Sequence, residues 1–283
     1  MTRLLPLAVL GVALLLPTSA APTSDDAACS WDLLAYNTWL RPRSLFPDRQ
    51  LERASALVDE LEGHDILVLS ELFDDRSRTV LLDGLQAAYP HRTALVGEDR
   101  GALQDGGVMI LSRWPIVAEA ERTYDVCAGS DCFAEKGLAY ARMERGACAV
   151  HVLGTHVQAG PAPRVRRRQL EQVRAFVDGL GAPADEPLLI AGDLNINGVG
   201  DEWQGALEML QAAAPPATGG SWATFDPQRN VYARGGAPRR LDHALYSLRH
   251  QQPAHAEQRT HQLEVAGRPL SDHYAIQGRF RFH

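Results

Sequence analysis

Strand-like runs follow one another along this chain with no helix between them, most plainly over residues 107–123 and 138–154. A doubly wound parallel sheet needs a crossover, usually a helix, between successive strands, so these stretches must close as antiparallel hairpins. Further strand-like runs are Leu33–Trp39, Ile66–Leu69, Leu188–Ala191, Leu241–Tyr246 and Tyr274–Phe282. Helical periodicity falls at Leu51–Leu61, Val80–Ala88, Gln169–Leu180 and Trp203–Ala213. Strands and helices interleave overall, which predicts an α/β (α+β) fold: two mixed, mostly antiparallel β-sheets packed face to face, flanked by helices. There is no internal repeat and no linker long enough to split the chain. At 283 residues and 45% hydrophobic content it can bury one sizeable core.

The start of the chain stands apart. Arg3 precedes an apolar stretch, Leu4 to Leu16, interrupted by Pro6 and Gly11, and Thr18-Ser19-Ala20-Ala21 offers small residues for cleavage. Residues 1–21 are therefore expected to be a secretory signal, leaving 22–283 as a single domain with no transmembrane segment, secreted and monomeric. The cysteine count agrees. All four, Cys29, Cys127, Cys132 and Cys148, lie beyond the signal, and an even number in an exported protein predicts two disulfides. Three pairings exist. Cys127 with Cys132 is favoured, because Ala128-Gly129-Ser130-Asp131 can close a small loop; Cys29 would then join Cys148.

The net charge is −7. A nucleic-acid partner normally calls for a basic face, so this balance argues against one. The one dense basic run, Arg164-Val165-Arg166-Arg167-Arg168, opens a helix and reads as a solvated face.

Chemistry concentrates at the ends of strands. The run Pro187-Leu188-Leu189-Ile190 leads into Ala191-Gly192-Asp193-Leu194-Asn195. Residues i and i+2 of an extended chain point the same way, so Asp193 and Asn195 converge on one spot. A carboxylate beside an amide suits a site that holds a divalent cation and an anionic oxygen together. Ser70-Glu71, Thr155-His156 and Ser271-Asp272-His273 also adjoin predicted strands.

In chain order these motifs are Asn37 in Ala-Tyr-Asn-Thr-Trp, Glu71 in Leu-Ser-Glu-Leu-Phe-Asp, Thr155-His156-Val157-Gln158-Ala159, Gly192-Asp193-Leu194-Asn195, Leu241-Asp242-His243 and Ser271-Asp272-His273. The set resembles the endonuclease/exonuclease/phosphatase superfamily, metal-dependent phosphodiesterases with a four-layer sandwich. Within it the chain is most similar to secreted bacterial sphingomyelinases, through Glu71-Leu72-Phe73-Asp74, Asp105-Gly106-Gly107-Val108, Lys136-Gly137-Leu138-Ala139-Tyr140 and Gln158-Ala159. Lys136 is the single lysine among 28 Lys and Arg residues, so its motif calls for a compact ammonium rather than a guanidinium fork.

The resemblance implies a Mg²⁺-dependent enzyme, with Mn²⁺ or Co²⁺ as alternatives, hydrolysing a phospholipid at a membrane surface. Glu71, Asn37 and Asp272 are the implied metal ligands. His273 is the implied general base, oriented by Asp242. Asp193 would position the attacking water, while Asn195 and His156 would donate to phosphoryl oxygens. Lys136, Phe73 and Tyr140 would bind substrate. For a quaternary ammonium head group the aromatic candidates are Trp39, Phe73, Tyr140, Trp222 and Tyr274, with Asp74 supplying charge. One departure stands out: residues 261–270 carry no Trp, Phe or Tyr where membrane-active relatives have an aromatic-tipped hairpin. The competing readings are a secreted nuclease or other phosphodiesterase of the superfamily, and a catalytically inert binding protein that keeps the fold.

Overall fold

The computed structural model describes residues 29–98 and 104–283; the expected signal segment 1–21 lies outside them. Two large mixed sheets pack face to face. The first runs in the order Ala217–Gly219, His255–His261, Ala275–Phe282, Cys29–Asn37, Ile66–Ser70, Met109–Ser112 and His91–Arg92. The second runs Ile116–Thr123, Gly137–Arg145, Cys148–His156, Leu188–Asp193, Asp242–Ser247 and Ala212–Ala213. Each sheet has parallel pairs, Cys29–Asn37 beside Ile66–Ser70 and Cys148–His156 beside Leu188–Asp193, within an otherwise largely antiparallel ladder.

Alternation along the strands sorts side chains into layers. Leu33, Ala35, Ile66 and Val68 of the first sheet meet Val150, Val152, Leu189, Ala191 and Ala244 of the second in one dry core. Their neighbours face outward. Leu34, Tyr36, Leu67 and Leu69 lie under helices α1 (Gln50–Leu61) and α2 (Asp75–Leu85). Leu153, Leu188 and Ile190 lie under α3 (Pro163–Leu180) and α4 (Asp201–Leu210). Helix, sheet, sheet, helix is the four-layer order the sequence predicts.

Local signals set the helix boundaries where periodicity misplaced them. α2 starts at residue 75 rather than 80, because Asp74 caps it by accepting from the Ser77 backbone N–H at 2.9 Å. α3 starts at Pro163, whose fixed φ suits a first helical position. The strand His255–His261 escaped notice because its sequence, His-Ala-Glu-Gln-Arg-Thr-His, has almost no apolar alternation; it forms by pairing with Ala275–Phe282. Two disulfides are present, Cys29–Cys148 between the two sheets and Cys127–Cys132 within one loop. Among the described residues no helix is long and apolar enough to cross a membrane. The segment before Ser271 is a small ribbon, Glu264–Val265 with Arg268–Pro269.

Candidate active site

The inward-facing rows of the core continue past the strand ends as polar residues. Asn37 extends the row of Leu33 and Ala35, Asp193 that of Leu189 and Ala191, His156 that of Val150 and Val152, and Asp242 precedes Ala244 on its row. Register then aligns them: Asp193 pairs with His156 on one side and Asp242 on the other. The neighbouring parallel pair in the first sheet ends at Asn37 and Ser70, with Glu71 next. The site is thus the polar rim of the inter-sheet core.

Backbone turns aim these groups. Trp39, Glu71 and Asn195, each just beyond one of these strands, have φ of 52°, 55° and 51°. Left-handed conformations are costly for such residues and concentrate where function over-determines them. Gly192 is required for a different reason: at φ 129°, a Cβ there would lie 2.1 Å from the Thr155 carbonyl oxygen across the parallel pair.

Hydrogen bonds join the expected residues. Asn37 Nδ2 donates to Glu71 Oε1 at 3.0 Å and to Asp193 Oδ2 at 3.1 Å. Asp193 Oδ1 accepts from the Asn195 N–H at 2.8 Å, and Asn195 Nδ2 donates to the Val157 carbonyl at 3.0 Å. Asn195 therefore keeps one amide proton for another acceptor. His273 Nδ1 meets Asp242 Oδ2 at 2.7 Å, while its Nε2 lies 3.9 Å from Asp193 Oδ2. Lys136 Nζ donates to His156 Nε2 at 2.9 Å, and that nitrogen is 3.6 Å from Asp193 Oδ2 and 3.9 Å from Glu71 Oε1.

Burial sets the electrostatics. Burial and the adjacent Asp242 push the Asp193 carboxyl up to about 7. Burial and Glu71 raise Asp272 to about 6. Burial opposes the charge on His273, but the Asp242 and Asp193 carboxylates outweigh it and hold the imidazole well above its ordinary range. Burial, then the Lys136 ammonium, hold His156 well below its own.

So many carboxylates pressed together, two of them displaced upward, fit a site built for a divalent cation. Asp193, Asp242 and His273 each bring one ligand atom within 4.8 Å of the others, a grouping that could hold a metal ion. In this structure Asp242 Oδ2 is bonded to His273 and each Asp193 oxygen already accepts one hydrogen bond, so the carboxylate oxygens more open to a cation are Asp242 Oδ1 and the second oxygen of Glu71, whose charge also bears on Asp272. An all-oxygen carboxylate set of this kind suits a hard ion.

Several expectations need amendment. Tyr140 does not reach the cleft. It alternates with the inward-facing Ala139 and Ala141, so it faces α3, where its hydroxyl meets His151 Nδ1 at 2.7 Å and its ring stands 6.2 Å from Phe176. Asp74 carries no spare charge for a head group, since its oxygens cap α2 and hold Arg43. Phe73 lies against Gly107, where a Cβ would come within 2.7 Å of its ring. Asn37 turns its nitrogen, not its oxygen, toward the carboxylates; its Oδ1 accepts from the Trp39 N–H at 3.1 Å. As a metal ligand it would have to turn its amide over. His156 Nε2 accepts from Lys136, so donation from that nitrogen would need the other tautomer.

Other residues support the site with little warning in the sequence. Arg53 of α1 reaches the carbonyls of Thr38, Trp39 and Leu270 at 3.0, 2.6 and 2.8 Å, stitching two rim loops together. Thr224 Oγ1 accepts from the Leu241 and Asp242 N–H groups, and Phe225 stands edge-on to His273 with centroids 5.2 Å apart. Ser271 Oγ donates to the Asn37 carbonyl at 2.6 Å, fixing the last motif onto the first strand. A cavity of about 720 Å³ between α3 and α4 holds none of the strand-end residues.

Known proteins of the same build carry relevant names. The chain is 30% identical over 271 residues to a sphingomyelinase C of Bacillus cereus, covering 84% of this chain and 81% of that protein. The crystal structure of sphingomyelinase C from Streptomyces griseocarneus superposes with a TM-score of 0.82 at 30% identity, over 89% of this chain and 99% of that one. A Staphylococcus aureus beta toxin mutant with bound magnesium ions superposes with a TM-score of 0.80 at 25% identity, over 88% of this chain and 99% of that one. The model of the Endonuclease/Exonuclease/phosphatase family matches residues 34–273, spanning every motif at the rim, and the chain belongs to that family.

Proposed function

We propose that the chain is a secreted, Mg²⁺-dependent phosphodiesterase that hydrolyses sphingomyelin to ceramide and phosphocholine, with Mn²⁺ or Co²⁺ able to replace Mg²⁺. The observation that carries the reading is the His273–Asp242 pair set 3.9 Å from Asp193, beside the Glu71–Asn37 bonds. Neither the cysteines nor Ser271 competes with water as a nucleophile. Both cysteine pairs are oxidised, and the Ser271 hydroxyl is donated to the Asn37 carbonyl.

In this reading a bound cation polarises the phosphoryl group and offsets the carboxylate charge that keeps His273 protonated. Asp242 holds the His273 tautomer with Nε2 toward the cleft and stabilises the imidazolium once a proton arrives. Asp193 Oδ2 and His273 Nε2 are far enough apart to hold one water between them, the proton going to His273. The free amide proton of Asn195 would donate to a phosphoryl oxygen, where donors aimed at developing charge act most strongly, and the Lys136 ammonium, its three donors bonded to Asp131, His156 and Val157, would add positive charge behind His156. Glu71 would hold the cation with Asp272 and, once the Asn37 amide turns over and releases Asp193 Oδ2, with Asn37 and Asp193.

A nuclease reading is weaker. Arg166, in the middle of the basic run, is buried, pairing with Glu202 and donating to the Gln158 and Gly160 carbonyls. The test measures phosphocholine release from sphingomyelin and phosphatidylcholine beside plasmid nicking, each with EDTA or added Mg²⁺. Mg²⁺-restored release from sphingomyelin supports the proposal. Nicking without phosphocholine release overturns it.

A further inference from the structure

We infer that Asp131, fixed by the Cys127–Cys132 loop, is a positioning residue that holds the Lys136 ammonium in its working place. The inference rests on the reading above only in taking the reaction to be phosphodiester hydrolysis.

Lys136 is 7% exposed, and its ammonium has three acceptors: Asp131 Oδ2 at 2.7 Å, His156 Nε2 at 2.9 Å and the Val157 carbonyl at 3.4 Å. Two of these acceptors are neutral, and one is charged. Asp131 thus supplies the counter-charge for a buried cation whose other side faces the catalytic rim, and a buried ammonium without such a partner is poorly tolerated. The same Oδ2 accepts from the Ala159 N–H at 2.7 Å, which ties Asp131 to the segment just after His156.

Asp131 is itself held on two sides. It lies in the short 3₁₀ turn Gly129–Phe133, inside the six-residue ring that the disulfide closes. That ring is clamped to the strand exit through Gln158, whose Oε1 accepts from the Ala128 N–H at 2.7 Å and whose Nε2 donates to the Ala128 carbonyl at 3.0 Å. Gln169 of α3 completes the clamp, accepting from the Gln158 N–H and donating to the Val126 carbonyl. The disulfide therefore does little for the core. It limits where one carboxylate can be, and through that carboxylate where one ammonium can be. A cavity of about 150 Å³ lined by Cys127, Asp131, Lys136, Gln158 and Gln169 is the space into which the lysine would swing if released.

Because Lys136 is the only lysine in the chain, its position can be read directly. Incorporating lysine ¹³C-labelled at Cε gives a single lysine NMR signal without altering the ammonium. In Asp131→Asn and in Cys127→Ser/Cys132→Ser, both with Cys29–Cys148 intact, that signal should move toward the position of a mobile, solvated lysine. Unlabelled samples of the same variants should lose on the order of 10–10² in kcat, the scale expected of a catalytic group displaced by about an ångström, with KM little changed. In a Lys136→Met background, Asp131→Asn should cost nothing further, because its effect passes through the lysine.

Rates are measured on sphingomyelin and on bis(p-nitrophenyl) phosphate. Wild-type turnover of the second alone would overturn the sphingomyelinase reading while leaving this inference testable. An unmoved lysine signal, an unchanged kcat with a moved signal, or a full additional loss in the Lys136→Met background would each overturn the inference. The cysteine variant keeps it falsifiable if Asp131→Asn fails to fold.

Discussion

The Asp242 carboxylate and the His273 imidazole meet at 2.7 Å from segments that belong to opposite sheets. Asp242 opens a strand of the second sheet beside Asp193, and His273 sits just before the last strand of the first. The bond thus closes the sandwich at this rim and fixes the imidazole in one step, as the proposed general base requires. His273→Ala should lose on the order of 10²–10⁴ in kcat, the usual worth of a positioned general base. Asp242→Asn should give a parallel but smaller loss, since an amide can favour the wrong tautomer. Steady-state rates with near-native circular dichroism check both, and a silent Asp242→Asn would separate the pair from catalysis.

Glu71 faces the cleft with only the Asn37 amide bonded to Oε1, on a backbone already turned to φ 55°. Glu71→Ala removes the proposed cation ligand and relieves a repulsive charge, so the protein should stay folded while activity disappears. The expected pattern is an unchanged or raised Tm without cation, and no rise in Tm on adding Mg²⁺. Near wild-type turnover at millimolar Mg²⁺ would place the cation elsewhere.

Proton linkage gives an independent check of the cation site. Without a cation, the Asp193 carboxyl titrates at about 7 and Asp272 at about 6, so below those values both carry protons that a cation must displace. Cation affinity should therefore rise most steeply as pH increases through that window. Calorimetric titration in two buffers of different ionisation enthalpy should find more protons released near pH 6 than at about pH 8, where the protonated His273 is the remaining source. Equal heats in the two buffers at the lower pH would exclude these carboxyls as the groups displaced.

Much of this was legible because alternation fixes facing. Asp193 and Asn195, two apart after an apolar run, could be placed at a strand mouth, and the hairpin-rich order of strands excluded a doubly wound sheet. The same rule turns Tyr140 away from the cleft: Leu138 and Tyr140 share one face, Ala139 and Ala141 the other. Membership in a motif says nothing about which face a residue takes. Arg53 was hidden for another reason. Its partner Leu270 is 217 positions away, and no local pattern marks an arginine that will bond three carbonyls. The polar strand His255–His261 was missed because its order comes from its neighbour in the sheet, not from its own composition.

Cys29–Cys148 and Cys127–Cys132 should differ sharply in what they do. The first spans 119 residues and joins the first strand of one sheet to a central strand of the other. On a chain-entropy account, closing so long a loop stabilises by about 4–5 kcal/mol. Cys29→Ser/Cys148→Ser should therefore lower Tm by several degrees while leaving kcat of the folded protein unchanged. Peptide mapping under non-reducing conditions should recover the two pairs separately, and a Cys29 peptide joined to Cys127 or Cys132 would refute the connectivity.

The head group separates two aromatics that the sequence treated alike. Trp39 lies at the rim: its N–H bonds the Asn37 amide oxygen, its ring is 5.1 Å from Tyr232, and the Arg41 guanidinium stacks on it at 4.2 Å. Tyr140 lies on the helix-facing side of the second sheet, in a chain from its hydroxyl through His151 to Glu186. Trp39→Ala should therefore raise KM for sphingomyelin more than for a choline-free phosphodiester, because an aromatic face near the cleft is what recognises a quaternary ammonium. Tyr140→Phe should leave both KM values unchanged and cost only about 1 kcal/mol of stability, the net worth of one buried hydrogen bond. Michaelis curves on both substrates and a urea titration read the two outcomes. A raised KM in Tyr140→Phe with Trp39→Ala unaffected would reverse the assignment and put the head group on the far side of the sheet, away from the catalytic pair.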